Sequence, residues 1–209
     1  MPVRSLFSSF LLAVILATAV TTAPVAAKTK VMHKAKAKKK RKPVAKKKSA
    51  PATPAVCPNT GLVPDAGNLE LIRGALACLH DQVRSQHGLG TLAFNGALVA
   101  AAAAHTDDMV ARGYFEHNTP DGGTFDQRIL SAGYARPGDG WSLGENLIWA
   151  DGDLATPAAL MTSWMDSEGH RENILKPAYR ELGLAVRLGT PTGEAGGVTV
   201  SAEFGARIS

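Results

Sequence analysis

The sequence predicts an α+β domain across residues 57–209. Three observations carry this. Apolar residues recur at helical spacing near the start of that region. An alanine-rich run follows, between a capping asparagine and a stopping glycine. Two stretches near the C-terminus alternate with period two around a turn-forming loop. Helices flanking a small antiparallel sheet give the α+β class.

Taken in order, residues 68–87 predict a first helix. Asn68 is placed to cap it, Leu69, Ile72, Leu76, Leu79 and Val83 recur along it, and Gly88 stops it. A second helix is expected from Asn95 to Arg112, closed by Gly113, with alanines favouring the helical state. Thr124 to Ala132 reads as a short third helix before Gly133. Residues 143–149 read as a short strand or extended segment. A fourth helix is expected from Thr156, with Pro157 at its first position, to Gly169. Leu182–Leu188 and Val198–Phe204 then form an antiparallel hairpin.

The chain ahead of this domain differs in kind. Residues 1–27 read as a secretory signal: Arg4, an apolar run from Leu6 to Val20, and small residues Val25-Ala26-Ala27 before Lys28. The mature form then has no apolar run long enough to span a bilayer. Residues 28–56 carry eleven lysines and Arg41 with no acid, and few large apolar side chains. Such a segment buries too little apolar surface to offset its ordering entropy, so a disordered basic linker is expected. It reads either as a tether to an anionic envelope component or as a solvated spacer.

The whole chain has a net charge of +5, yet residues 57–209 hold ten basic residues against all 18 acids, a formal charge of −8. The basic balance belongs to the linker. A negative folded domain, with no aromatics interleaved in the basic run, argues against nucleic acid as a partner. Export places the protein outside the cell or in a periplasm, associated with the envelope. Both cysteines, Cys57 and Cys78, lie at the start of the domain. In an exported chain a disulfide is the favoured reading, contributing roughly 3 kcal/mol in the chain-entropy model. Two free thiols are the alternative.

Four polar residues at the ends of predicted elements are candidates for a shared cleft: His117, Glu145, Ser167 and His170. Two imidazoles, a carboxylate and a hydroxyl can hold a divalent metal such as zinc, move a proton or orient a ligand. His117 lies on a loop of turn formers. Glu145 sits among apolar neighbours and needs a partner, either a histidine, a metal, or an arginine such as Arg128 or Arg171. Ser167 and His170 share a helix face if the fourth helix continues past them. No nucleophile elbow surrounds Ser167, so a hydroxyl that orients the imidazole is the simpler role. His105 lies in line with Leu98, Ala101 and Met109, and reads as a satisfied core histidine. His33 falls in the linker. His80 and His87 are placed on the exposed side or end of the first helix, with no role.

Several segments together resemble the CAP superfamily, or SCP domain, which includes pathogenesis-related proteins, venom antigens and cysteine-rich secretory proteins. They are Asn95-x-x-Leu98, Tyr114-Phe115-Glu116-His117, Phe125-x-x-Arg128, Gly133-Tyr134, Gly144-Glu145-Asn146-Leu147, Trp164-x-x-Ser167-x-x-His170-Arg171-x-Asn173, and the terminal strand pair with Phe204-Gly205. The match runs from about residue 76 to 206 and is similar to the short bacterial branch. The resemblance implies a three-layer α-β-α sandwich with a central cleft. Eukaryotic members carry two histidines and two acids there, and some bind a divalent metal. His117 and Glu145 match one of each. Ser167 stands where the second acid would be, and His170 supplies an imidazole from a different motif, which leaves His117 and His170 as the implied metal donors.

Two functions from different classes are expected. One is an exported binding protein whose cleft takes a small or extended polar ligand, with or without a metal. The other is a metal-assisted hydrolase acting on an envelope peptide, lipid or nucleic acid, with Glu145 as base and the histidines His117 and His170 polarising substrate or holding metal. A third reading makes the four residues a buried polar network only.

Overall fold

The computed structural model describes residues 56–194 and 196–208. The expected signal segment 1–27 and nearly all of the basic linker 28–56 lie outside them. The element order is α1 (Leu69–Gln86), β1 (Ala93–Phe94), α2 (Gly96–Arg112), α3 (Phe125–Ser131), β2 (Gly140–Ala150), a 3₁₀ turn (Gly152–Ala155), α4 (Pro157–Asp166), α5 (Glu168–Leu175), β3 (Glu181–Leu188) and β4 (Val198–Ile208). The strands lie in the order β1-β3-β4-β2. β4 is central and antiparallel to both long neighbours, and the two-residue β1 runs parallel to β3. The sheet is therefore mixed, not purely antiparallel. Two residues carry too little periodicity for β1 to be read from sequence.

Local signals account for most boundaries. The Asn95 side chain accepts hydrogen bonds from the Ala97 and Leu98 amides, and Gly113 ends α2 in the left-handed conformation that glycine adopts without strain. Asn68 precedes α1 without a side-chain cap, because its amide oxygen accepts from Asp65 N–H and its Nδ2 donates to Val63 O. The expected fourth helix is two helices. Ser167 adopts an extended conformation (φ −89°, ψ 123°) that ends α4, and α5 starts at the next residue. Ser167 and His170 thus do not share one continuous helix. Cys57 and Cys78 form a disulfide that ties the start of the domain to α1.

Sheet alternation sorts the molecule into two faces. Val198, Val200, Ala202 and Phe204 of β4 point to the side covered by α1, α4 and α5, where the main core lies with Ile72, Leu76, Leu160, Trp164 and Ile174. Thr199, Ser201 and Glu203 alternate to the opposite side, covered by α2 and α3, and are equally buried. The core there is small: Leu98, Ala101, Ile129 and Tyr134. Helix α2 packs so close to β3 that a Cβ on Gly183 would collide with the Leu98 and Val99 backbone.

One helix residue anchors a loop that the cleft needs. Arg84 is 1 % exposed and donates to the carbonyls of Gly90, Ile174, Lys176 and Tyr179. It fixes the segment between α5 and β3. His80, one turn earlier, is fully buried, and its ring meets Trp164 and Phe204. That corrects the exposed placement expected from the sequence. The buried stripe of α1 runs through Ile72, Leu76, His80 and Arg84 at four-residue steps. Its last two members are polar, so hydrophobic periodicity alone misses them.

Candidate functional site

Glu145 is the hub of the site. It lies on β2 directly opposite Glu203 of β4, with its side chain 1 % exposed. The His117 Nδ1–H donates to Glu145 Oε1 at 2.7 Å, and Arg128 Nη2 of α3 donates to Oε2 at 2.5 Å. The same guanidinium nitrogen lies 3.9 Å from Glu203 Oε1 and also donates to the His117 carbonyl. His105 Nε2 of α2 is 4.0 Å from Glu145 Oε2 and donates to the Glu116 carbonyl at 2.9 Å. Five side chains from α2, its following loop, α3, β2 and β4 thus meet on the polar face of the sheet.

Their protonation states follow from position. Burial alone would raise the Glu145 carboxyl. Hydrogen bonds from His117 and Glu203, with the charge of Arg128, outweigh burial and hold it below the ordinary glutamate value. Glu203 goes the other way: burial, then the neighbouring Glu145 charge, pushes it well up, so it stays protonated beside an ionised partner. The bond to Glu145 raises His117 above the usual imidazole range. Burial lowers His105, although the Glu145 charge opposes this, and so favours the neutral ring. The cluster is one carboxylate, one neutral acid and one guanidinium, with the His117 ring half exposed beside them, its side chain at 51 %.

An open cleft of about 450 Å³ adjoins this cluster at the free edge of β2. His117, Asn118 and Phe125 form one wall, Leu143, Gly144 and Glu145 the floor, and Asn173, Lys176 and Tyr179 the other wall. The floor strand has its outer carbonyls taken by side chains. Tyr179 Oη donates to Leu143 O at 2.7 Å, Asn173 Nδ2 to Glu145 O at 3.2 Å, and Trp164 Nε1 to Leu147 O at 3.3 Å. Exposed strand edges invite pairing with another chain, and these donors blunt this one. Gly144 has no room for a side chain, because a Cβ would collide with the Tyr179 hydroxyl.

Of the four sequence candidates, His117 and Glu145 are joined directly. His170, on α5, is lowered by burial and then by the nearby His117 charge, and its carbonyl accepts from Asn146 Nδ2 at 2.9 Å. Neither His170 nor Ser167 is among the residues lining this cleft. Ser167 occupies the joint between α4 and α5. Of the two arginines that the sequence offers as partners for Glu145, Arg128 makes the ion pair. His105 is the satisfied core histidine expected, and it also borders Glu145. Glu203, Asn173 and Lys176 had no assigned role. The signal for Glu203 lay in β4 itself, where Thr199, Ser201 and Glu203 alternate with apolar residues in a strand that becomes central.

Metal binding can be weighed on the donor set. Glu145 occupies His117 Nδ1, leaving Nε2 free, an arrangement that would orient a ligating imidazole. Among the described residues, however, no group of three or more His, Cys, Asp or Glu is arranged to hold a metal. His117 and His170 alone fall short of the three or four protein donors that zinc sites use. The site as built does not fit a resident zinc.

A family model for the cysteine-rich secretory protein (CAP) family matches residues 78–202. Two Bacillus subtilis (strain 168) proteins are similar to the chain. The uncharacterized protein YkwD is 35 % identical over 101 residues, covering 48 % of this chain and 37 % of that protein. The membrane protein YlbC is 34 % identical over 110 residues, covering 52 % and 29 %. The chain therefore spans about a third of the length of these relatives. An extracellular SCP-domain protein from Bacillus anthracis str. Ames superposes with a TM-score of 0.51 at 27 % identity, over 66 % of this chain and 40 % of its own. An outer surface protein of Borrelia burgdorferi superposes with a TM-score of 0.54 at 16 % identity, over 71 % and 99 %, a likeness of fold alone.

Proposed function

This chain belongs to the cysteine-rich secretory protein (CAP) family, and from that premise we propose that it is an exported binding protein. Its cleft at the free edge of β2 takes a polar ligand in the cell envelope, and its basic linker holds the domain near an anionic surface. The observation that carries this reading is the state of Glu145. Both carboxylate oxygens are engaged, by His117 and by Arg128, and the group is buried and held in its weakly basic, ionised form. A general base needs a free oxygen within reach of a substrate proton and a pKa near the working pH. Glu145 meets neither condition. It positions His117 instead, so the imidazole presents Nε2 to the cleft as a fixed recognition group. The similarity to an extracellular SCP-domain protein supports an exported location.

The hydrolase reading requires a proton acceptor that this network withholds, and a metal that its donors do not complete. The two readings separate in one experiment. The purified protein is incubated with bacterial cell-wall fragments, and both retention and released products are followed, with His117→Ala and Asn173→Ala alongside. Saturable retention weakened in both variants, with no product, is expected. Product release that disappears in His117→Ala would replace binding with catalysis.

A further inference from the structure

Resting on the binding reading, we infer that the β2-edge cleft selects the carboxylate of an extended peptide, read by side-chain charge and not by strand addition. The cleft is a cationic feature on an acidic domain. Its one acid, Glu145, is neutralised within the wall by Arg128 and His117. What faces the open space is the half-exposed His117 ring and Lys176. The Lys176 ammonium lies 4.7 Å over the Tyr179 ring and 3.4 Å from its hydroxyl, and it makes no ion pair among the described residues. An ammonium with no ion-pair partner among the described residues and an imidazole N–H that lines the same cleft are both donors suited to an oxyanion. The hydrogen bond to Glu145 raises the His117 pKa above its ordinary value, which favours the protonated ring and supports this.

A second feature distinguishes a peptide from a bare anion. Asn173 spends its Nδ2 hydrogens on Glu145 O and Asn146 Oδ1, so its own Oδ1, which lies over Gly144, remains an acceptor at the floor. The cleft thus offers donors for an oxyanion and an acceptor for a neighbouring N–H, the pairing found at the end of a peptide. The outer carbonyls of β2 are already taken by Tyr179, Asn173 and Trp164. A peptide therefore finds no main-chain acceptor ladder to pair with, and its charge must identify it.

The test is an NMR titration of the full chain with N-acetyl-alanyl-alanine, with its C-terminal amide, and with inorganic phosphate. The same titrations are run on Lys176→Gln, an exposed site whose change leaves the fold intact. The proposal expects the acid to bind with shifts at His117 and Asn173, the amide and phosphate to bind at least about tenfold more weakly, and Lys176→Gln to lose about tenfold for the acid. Equal binding of acid and amide would overturn charge selection while leaving a peptide-binding cleft. Phosphate matching the acid would reduce the site to a bare oxyanion pocket and overturn the peptide assignment. No binding of any probe, with cell-wall retention intact, would overturn the inference and spare the binding reading. Loss of both would overturn the two together.

Discussion

The two faces of the central sheet solve opposite problems with the same strand. On the α1–α4–α5 side, β4 contributes Val198, Val200, Ala202 and Phe204 to a core of fifteen buried residues, and its lone buried imidazole, His80, is held neutral. On the α2–α3 side, the same strand contributes Thr199, Ser201 and Glu203 to a layer whose apolar core has four members and whose centre is ionic. The first face holds the fold together. The second spends burial on charges, which seldom improves stability over a well-packed apolar core. Its geometry serves the cleft at the β2 edge, where Glu145 fixes the half-exposed His117 ring.

Removing the clamp of the ionic face should give the largest effect. Arg128→Leu leaves Glu145 buried with one oxygen unpaired and Glu203 beside it. A loss of roughly 3–5 kcal/mol in urea unfolding is expected. A loss below about 1 kcal/mol would mean that the carboxylates are solvated and the face is not an ionic core.

The apolar face carries its own liability in His80. Its pKa falls to about 4 through burial, and its Nε2 has no hydrogen-bond partner among the described residues. With the folded value below the free one near 6.5, the unfolded chain binds the proton first. Stability is therefore complete above about pH 6.5 and declines as pH falls toward 4, by about 3 kcal/mol in all. His80→Phe, packed against Trp164 and Phe204, should remove that acid-side slope in chemical unfolding at pH 4, 5 and 7. An unchanged slope would place the acid sensitivity on the other face.

Much of this was legible in the sequence, and the gaps have physical causes. Asn95, Gly113 and Pro157 mark boundaries through backbone chemistry that acts locally, and the structure places α2 and α4 where they predict. The joint at Ser167 was not legible, because a helix resuming after one extended residue leaves no break in composition. His80 and Arg84 escaped because burial was inferred from apolar residues, while the α1 stripe ends in polar ones satisfied by carbonyls or ring contacts. Glu203 escaped for a related reason. A polar alternation normally marks a solvent face, and only the covering of both faces of β4 turns Ser201 and Glu203 inward.

A finer test separates the two carboxylates. Glu203 is protonated in the fold but ionises in the unfolded chain above the ordinary glutamate value, so its stabilisation is lost as pH rises from there. Glu203→Gln preserves the neutral shape without the cost of keeping a carboxyl protonated, so it should stabilise the fold at pH 7 and do so less at pH 4. Glu145→Gln removes the charge that both Arg128 and His117 address, and should be the more costly of the pair. Reversed order in thermal unfolding would exchange the roles of the two acids.

The central claim is that buried Glu145 holds His117 charged at the cleft. The direct measurement is the NMR titration of the His117 ring in the native protein and in Glu145→Gln. The account predicts a native pKa above the free imidazole value of about 6.5, returning toward or below it in the variant. A native value at or below that of free imidazole, unmoved by Glu145→Gln, would contradict it.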